Sequence, residues 1–191
     1  VKIILKRLIL LVFILSTMLI GCTDKDVLED YNFETRFEKS SGLETATYQE
    51  VISFYKGLAK IHNSIAIYDM QKTDSEKPLH LVTFNPNRSF ESEFSENNTK
   101  SILLINNGIH PGESDGIDAS MLLLRDLAEG KIETPENMII AVIPIYNIGG
   151  ALQRNAHSRT NQNGPKEYGF RGNARNYDLN RDFIKADTKN A

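Results

Sequence analysis

The feature that most constrains the fold of this chain is a predicted strand, helix and second strand in close succession. Ile102 to Ile105 is an apolar run, which predicts a buried strand. Asp115 to Glu129 carries apolar side chains at helical steps, and Gly130 follows as a C-terminal cap signal. Met138 to Ile145 is continuously apolar, which is typical of a strand buried on both faces. We therefore predict a βαβ unit with two parallel strands.

Two side chains that can bind a metal follow the first of these strands. The polar turn Asn106-Asn107-Gly108 leads into His110 and Glu113. An imidazole and a carboxylate three residues apart in a turn can converge on one ion, and open α/β sheets place their chemistry at strand ends. A short His-x-x-Glu pattern also occurs in ordinary surface turns, so this pair needs further support.

The preceding part of the chain completes the prediction of an α/β fold. Apolar side chains recur at helical steps from Tyr48 to Ile61, after a capping signal in residues 45–50. Ser64 to Tyr68 and Leu79 to Phe84 read as a pair of strands joined by a charged turn. We expect a mixed, mostly parallel central sheet flanked by helices.

The N-terminal segment has the pattern of an export signal. Lys2, Lys6 and Arg7 precede the apolar run Leu8 to Ile20, which is short for a spanning helix. The following Cys22 is the only cysteine, and its setting resembles the lipobox of bacterial lipoproteins. The resemblance implies a signal peptide at residues 1–21 and an exported protein whose Cys22 is lipidated and anchored to a bacterial membrane. An uncleaved anchor or an ordinary signal peptide is the alternative.

Composition limits the remaining possibilities. Residues 22–45 are acidic and polar, which predicts a tether ahead of a domain at residues 46–191. Hydrophobic residues make up 40% of the chain, which is enough for one globular core. The net charge is −3 and there is no basic stripe, so we do not expect nucleic acid as a partner.

Three short motifs follow one another along the chain, and the first contains the metal-binding pair. HPGE occupies residues 110–113, FRGNARN residues 170–176 and DLNRDF residues 178–183. Together they resemble the zinc metallocarboxypeptidases typified by pancreatic carboxypeptidase A, and the resemblance covers most of the chain after Thr45. It implies a carboxypeptidase-like fold, a Zn²⁺ cofactor and a peptide substrate with a free C-terminal carboxylate.

The resemblance also implies individual roles. His110 and Glu113 match the first two zinc ligands, and Arg171 matches the catalytic arginine that polarises the scissile carbonyl. Asn180 and Arg181 match the pair that binds the substrate's terminal carboxylate, for which a planar guanidinium is well suited.

The chain departs from the family pattern in two places. Asn147 stands in an Asn-Ile-Gly-Gly turn where the family usually has Asn-Pro-Asp-Gly. The family's third zinc ligand, a histidine, and its general-base glutamate lie more than a hundred residues beyond the His-x-x-Glu pair, so we expect this chain to be the front part of the domain, incomplete at the C-terminus and inactive alone. His157 is the candidate substitute ligand, whereas His62 and His80 are predicted to be structural.

The resulting functional prediction is zinc-dependent hydrolysis of C-terminal peptide bonds. One alternative within the same superfamily is an aspartoacylase-like deacylase of N-acyl amino acids. Another is a surface lipoprotein that binds peptides without catalysis.

Overall fold

The structure is a computed structural model that describes residues 32–86, 100–134 and 137–191. Residues Phe33–Ala191 form one compact unit. The predicted signal peptide and Cys22 lie outside the described residues. Within the described ranges, no helix combines the length and the apolar character needed to cross a bilayer.

The described strands are β1 (Ile65–Lys72), β2 (Pro78–Phe84), β3 (Ser101–Asn106) and β4 (Met138–Ile143). They form one mixed sheet in the order β1-β2-β4-β3. β1 pairs with β2 and β2 with β4 in antiparallel fashion, whereas β3 and β4 are parallel. The predicted α/β class with a mixed sheet and flanking helices is therefore confirmed, and parallel pairing is confined to β3 and β4 among the described strands.

Helix α2 (Tyr48–Ile61) begins at a start signal in the sequence, and helix α3 (Asp115–Ala128) ends at a stop signal. The Thr47 side chain accepts from the Glu50 N–H while the Glu50 carboxylate accepts from the Thr47 N–H, which closes a capping box at the start of α2. Gly130 follows α3 with a φ of 71°, the left-handed conformation that glycine adopts most easily. The described helices are α1 (Arg36–Lys39), α2 (Tyr48–Ile61), α3 (Asp115–Ala128), α4 (Ile148–Ala151) and a 3₁₀ turn (Leu179–Arg181).

The hydrophobic core lies between the sheet and the apolar faces of α2 and α3. The four central residues of β4 are buried, as its continuous apolar sequence predicts. The buried residues that α2, α3 and the sheet contribute to the core include Val51, Tyr55, Leu58, Val82, Phe84, Ile117, Met121, Leu124, Ile140 and Val142.

The prediction that Ile102 to Ile105 form a buried strand is wrong for the described residues. Leu104 is 57% exposed, Ile102 51% and Leu103 44%. The reason is positional, because β3 lies at the end of the sheet and pairs with β4 alone among the described strands. Apolar side chains on both faces of β3 are therefore left open to solvent.

The folded unit starts inside the stretch that the sequence suggested as a tether. Residues from Phe33 onward belong to it, and Thr35 and Thr45 are buried. Arg125 on α3 donates to both carboxylate oxygens of Glu38 at 2.9 and 2.8 Å. An acidic, polar composition predicted a solvated segment, but Glu38 forms an ion pair that attaches α1 to α3. Residues 33–45 are thus part of the domain.

Candidate active site at the end of the parallel strand

The His-x-x-Glu turn leaves the sheet at the carboxyl end of β3. The Asn107 N–H donates to Ile143 O, and the Tyr146 N–H donates to Asn107 O, so the backbone pairing of β3 and β4 continues just past both strands. Gly108 then turns the chain with a φ of 63°, a conformation that favours glycine. This places the residues of the turn at the strand end, as predicted.

His110 lies between two carboxylates. Its ring is 4% exposed, Nε2 is 2.9 Å from Asp178 Oδ1, and Nδ1 is 3.5 Å from Glu113 Oε1. An ionised carboxylate can only accept a hydrogen bond, so Nε2 carries the proton that it donates to Asp178. With that proton on Nε2, a neutral form of the ring would present the lone pair of Nδ1 towards Glu113 Oε1, 3.5 Å away.

The separation between His110 and Glu113 fits a shared zinc ion. Two ligands that bind zinc tetrahedrally at about 2.0 to 2.1 Å lie about 3.4 Å apart. The observed distance from Nδ1 to Oε1 is 3.5 Å. Histidines that bind metals commonly donate their other ring nitrogen to a carboxylate, which fixes the ring, and Asp178 accepts in that way. These donors therefore fit two positions of a zinc site.

Asp178 was not singled out from the sequence, although it begins the third motif. Partial burial raises the pKa of its carboxyl, but hydrogen bonds from His110, the Asn180 N–H and Arg171 outweigh burial and lower that pKa to about 2. Arg171 donates to Oδ2 from Nε at 3.1 Å and from Nη2 at 3.0 Å. Asp178 is therefore ionised near neutral pH and joins the predicted metal ligand to the predicted catalytic arginine.

Arg159 is a second residue that the sequence did not reveal. Its Nη2 donates to Glu113 Oε1 at 2.7 Å, the same oxygen that faces His110, while Nη1 of Arg171 is 3.9 Å away from that oxygen. The hydrogen bond from Arg159 is the main reason that the pKa of Glu113 is lowered. Arg159 lies in a polar loop whose sequence has no periodicity. Its importance is therefore visible only from its short distance to Glu113 in the folded chain.

Asn180 and Arg181 lie next to this cluster on the 3₁₀ turn. The Asp178 side chain accepts from the Asn180 N–H at 3.0 Å, so it also caps the turn. Arg181 is exposed, and its Nη1 donates to Asn180 O. Asp178, Arg181 and neighbouring residues line an open pocket of about 380 Å³. Its other lining residues are Arg175, Asn176, Tyr177, Asp182, Lys185 and Asp187.

The Asn-Ile-Gly-Gly turn keeps a structural role despite its departure from the family pattern. The Asn147 side chain accepts from the Gly150 N–H and caps α4. Its amide nitrogen donates to Ile109 O at 3.3 Å and to Arg171 O at 2.9 Å. Asn147 therefore holds the backbone of Arg171 beside the residue that precedes His110.

The other histidines lie in different settings. His62 is the C-cap residue of α2, and buried His80 lies 3.2 Å from Asp69 and contacts the Tyr48 ring. His157 is exposed in the loop before Tyr168. No group of three or more His, Cys, Asp or Glu side chains in the described ranges is arranged to hold a metal ion. His110 and Glu113 are thus brought together without a third ligand from the described residues.

Comparisons with known proteins identify the family. The zinc carboxypeptidase profile matches residues 51–190. A metallo-carboxypeptidase from Burkholderia cenocepacia is 17% identical, with a TM-score of 0.54, over 73% of this chain and 33% of that one. A carboxypeptidase A from Helicoverpa armigera is 16% identical, with a TM-score of 0.49, over 56% of this chain and 25% of that one. No protein of curated function matches.

The chain thus spans about a third or less of the length of these solved carboxypeptidases. The likeness to the Burkholderia structure shows a shared fold. The profile match extends over most of the chain and includes all three motifs around the cluster of His110, Glu113 and Asp178. The chain belongs to the zinc carboxypeptidase family.

Proposed function

We propose that this chain carries the first part of the active site of a zinc-dependent carboxypeptidase that removes C-terminal residues from peptides. The observation that carries the proposal is the pair of His110 Nδ1 and Glu113 Oε1, which lie 3.5 Å apart at the end of a parallel strand. Asp178 supports the pair by accepting from the opposite nitrogen of the ring.

Each of the other predicted residues has a role in this proposal. Zinc, when bound, polarises the peptide carbonyl and lowers the pKa of a bound water. Arg171 stabilises negative charge on the carbonyl oxygen, a role that needs a fixed positive charge near the metal, and its guanidinium lies beside Glu113 and Asp178. Arg181 binds the substrate's terminal carboxylate from the open pocket beside Asp178, with Asn180 as its neighbour.

The proposal requires a third zinc ligand and a general base from residues other than those described. The described side chains supply two ligands in suitable geometry. A catalytic zinc site usually has three protein ligands and one open position. We propose that a histidine and a glutamate elsewhere in the whole protein complete the site.

The experiment compares peptides that differ only in their C-terminal group. We expect a blocked dipeptide with a free carboxylate to bind the zinc-loaded chain more tightly than its C-terminal amide, measured by calorimetry. Arg181→Ala should remove most of this difference, because a hydrogen bond between a guanidinium and a carboxylate contributes about 1.5 to 3 kcal/mol. Lys166→Ala is the matched control, since this lysine pairs with Glu44 rather than with the cluster.

The outcome also separates the alternatives. Equal binding of the acid and the amide by the unmodified chain contradicts an exopeptidase. In the whole protein, peptide binding without zinc-dependent hydrolysis favours a binding protein that has lost catalysis.

We further propose that the protein is exported and anchored through Cys22. The proposal is supported by the apolar run and the residues Leu19-Ile20-Gly21 before the single cysteine. Labelled palmitate should enter the unmodified protein in a bacterial host but not Cys22→Ser. Equal label in both proteins contradicts the lipoprotein proposal.

A further inference from the structure

A pocket next to Glu113 has a lining of hydrogen-bond donors. It measures about 380 Å³ and opens to solvent, and two of its lining residues, Arg159 and Arg171, are arginines. None of the lining side chains is acidic. The full lining is Ser158, Arg159, Thr160, Asn161, Gln162 and Arg171.

The fold holds the loop of this pocket against the metal-binding turn. The Gln162 amide donates to Gly112 O at 2.8 Å. The Arg159 N–H donates to the hydroxyl of Tyr168 at 3.3 Å, and Tyr168 is only 2% exposed. Gly112 leaves room for the arginine, because a Cβ there would lie 2.8 Å from Arg159 Cδ. The guanidinium of Arg159 is therefore positioned by buried neighbours.

The charge balance of the pocket changes when a metal ion binds. Arg159 now contacts Glu113 Oε1, the oxygen that also faces His110 Nδ1. A divalent cation on that oxygen competes with the guanidinium and brings two further positive charges to the site. The positive charge of Arg159 is then no longer balanced by Glu113, so the pocket favours an anion.

The pocket adjoins the one that contains Arg181. Arg171 lines the first pocket and Asp178 lines the second, and these two residues are hydrogen bonded. In the proposed function, Arg181 binds the terminal carboxylate of the peptide and Arg171 lies beside the scissile carbonyl. The residue that precedes the scissile bond would then lie beyond Arg171, on the side of the first pocket.

We propose that Arg159 and its pocket form a subsite for an acidic side chain on the N-terminal side of the scissile bond. The substrates are then peptides with aspartate or glutamate at that position. The inference rests on the proposed function, because that function sets the direction of the bound peptide. Arg159 is the specificity-determining residue, since its planar guanidinium can donate twice to a carboxylate.

The test compares acetyl-Glu-Leu with acetyl-Gln-Leu, both with a free C-terminus, by calorimetry on the zinc-loaded chain. We expect the glutamate peptide to bind about tenfold or more tightly, as a charge-assisted hydrogen bond predicts. Arg159→Gln should bring the two affinities together, and Arg159→Lys should keep part of the difference. Lys166→Gln removes a positive charge that pairs with Glu44 rather than with the cluster, and it should leave the ratio unchanged.

Thermal unfolding of each variant shows whether it is folded. Equal affinities in the unmodified chain overturn the subsite, and so does a folded Arg159→Gln variant that keeps the full preference. The proposed function is tested separately by comparing the affinity of acetyl-Gln-Leu with that of its C-terminal amide. Neither of these two peptides carries the acidic side chain. If neither acid nor amide binds, both the subsite and the proposed function are rejected.

Discussion

At the scale of single residues, Asp178 is expected to support the proposed metal site by holding the ring of His110. Its carboxylate fixes the ring of His110 through Nε2 and also holds Arg171. Asp178→Asn should lower zinc affinity by about 10- to 100-fold, as losses of such supporting carboxylates do elsewhere. Zinc titration with a competing chelator measures the effect. Asp187→Asn removes the same charge from the Arg181 pocket, and a comparable loss there would contradict a specific role for Asp178.

The ion pair of Glu38 gives a prediction about pH at the same scale. Burial raises the pKa of Glu38, but hydrogen bonds from Arg125 and Thr35 outweigh it and lower that pKa from 4.5 to about 2. A carboxyl whose pKa is lower in the folded state stabilises the fold above its unfolded pKa. This contribution is therefore present above pH 4.5 and is lost as the pH falls towards 2.

Urea unfolding at pH 7, 4 and 3 tests this assignment. The free energy of unfolding should fall less steeply with decreasing pH in Glu38→Gln than in the unmodified chain. Glu133→Gln, at an exposed position, is the control and should follow the unmodified chain. An unchanged slope in Glu38→Gln would show that the pair with Arg125 does not contribute.

At the scale of elements, β3 is the strand whose surroundings differ most from the prediction. A run of four apolar residues indicates burial, but it does not say which neighbours supply it. β4 has the same kind of sequence, and its four central residues are buried. It lies inside the sheet, where it pairs with β2 on one side and with β3 on the other. The sequence therefore predicted both strands correctly and the burial of only one.

β3 lies at an edge of the sheet that the described strands form, which leads to a prediction about self-association. Its six residues carry no charge, proline or glycine, and such edges pair readily with other chains. Leu104→Lys should reduce concentration-dependent association of the purified chain, measured by sedimentation velocity. Leu152→Lys makes the same change at another exposed leucine, and it should have little effect. Equal behaviour of the two variants would exclude the edge of β3 as the contact.

At the scale of the whole molecule, the sequence predicted what periodicity and short motifs encode. Helices α2 and α3 follow from apolar residues at helical steps with cap signals at their ends. The approach of His110 to Glu113 follows from their spacing within one turn. Both kinds of signal are local, so they can be read without knowing the packing.

The contacts that shape the site are not local, and for this reason the sequence did not reveal them. Arg159 is 46 residues from Glu113, and Asp178 is 68 residues from His110. Their approach depends on the path of a long polar loop that Gln162 and Tyr168 fix against the turn. A motif places Asp178 within the family pattern, but its contact with His110 appears only when the loop is folded.

The zinc affinity of this chain also depends on the whole molecule, because it depends on how many ligands the fold brings together. A complete structural zinc site binds with about 10 kcal/mol or more, which corresponds to a dissociation constant below about 0.1 μM. The described residues supply the two ligands that we propose, His110 and Glu113, and Arg159 would compete with the ion for the Glu113 oxygen. We therefore expect a dissociation constant above that value, because water must fill the remaining positions.

Calorimetry on the unmodified chain and on two histidine variants tests this expectation. His110→Ala should abolish the remaining zinc binding, whereas His157→Ala should leave it unchanged, since His157 lies exposed in a loop. Tight binding of one zinc ion that His157→Ala removes would mean that this loop supplies a third ligand. Binding that survives His110→Ala would contradict the site itself, because the 3.5 Å pair with Glu113 could not then be the place where the ion is held.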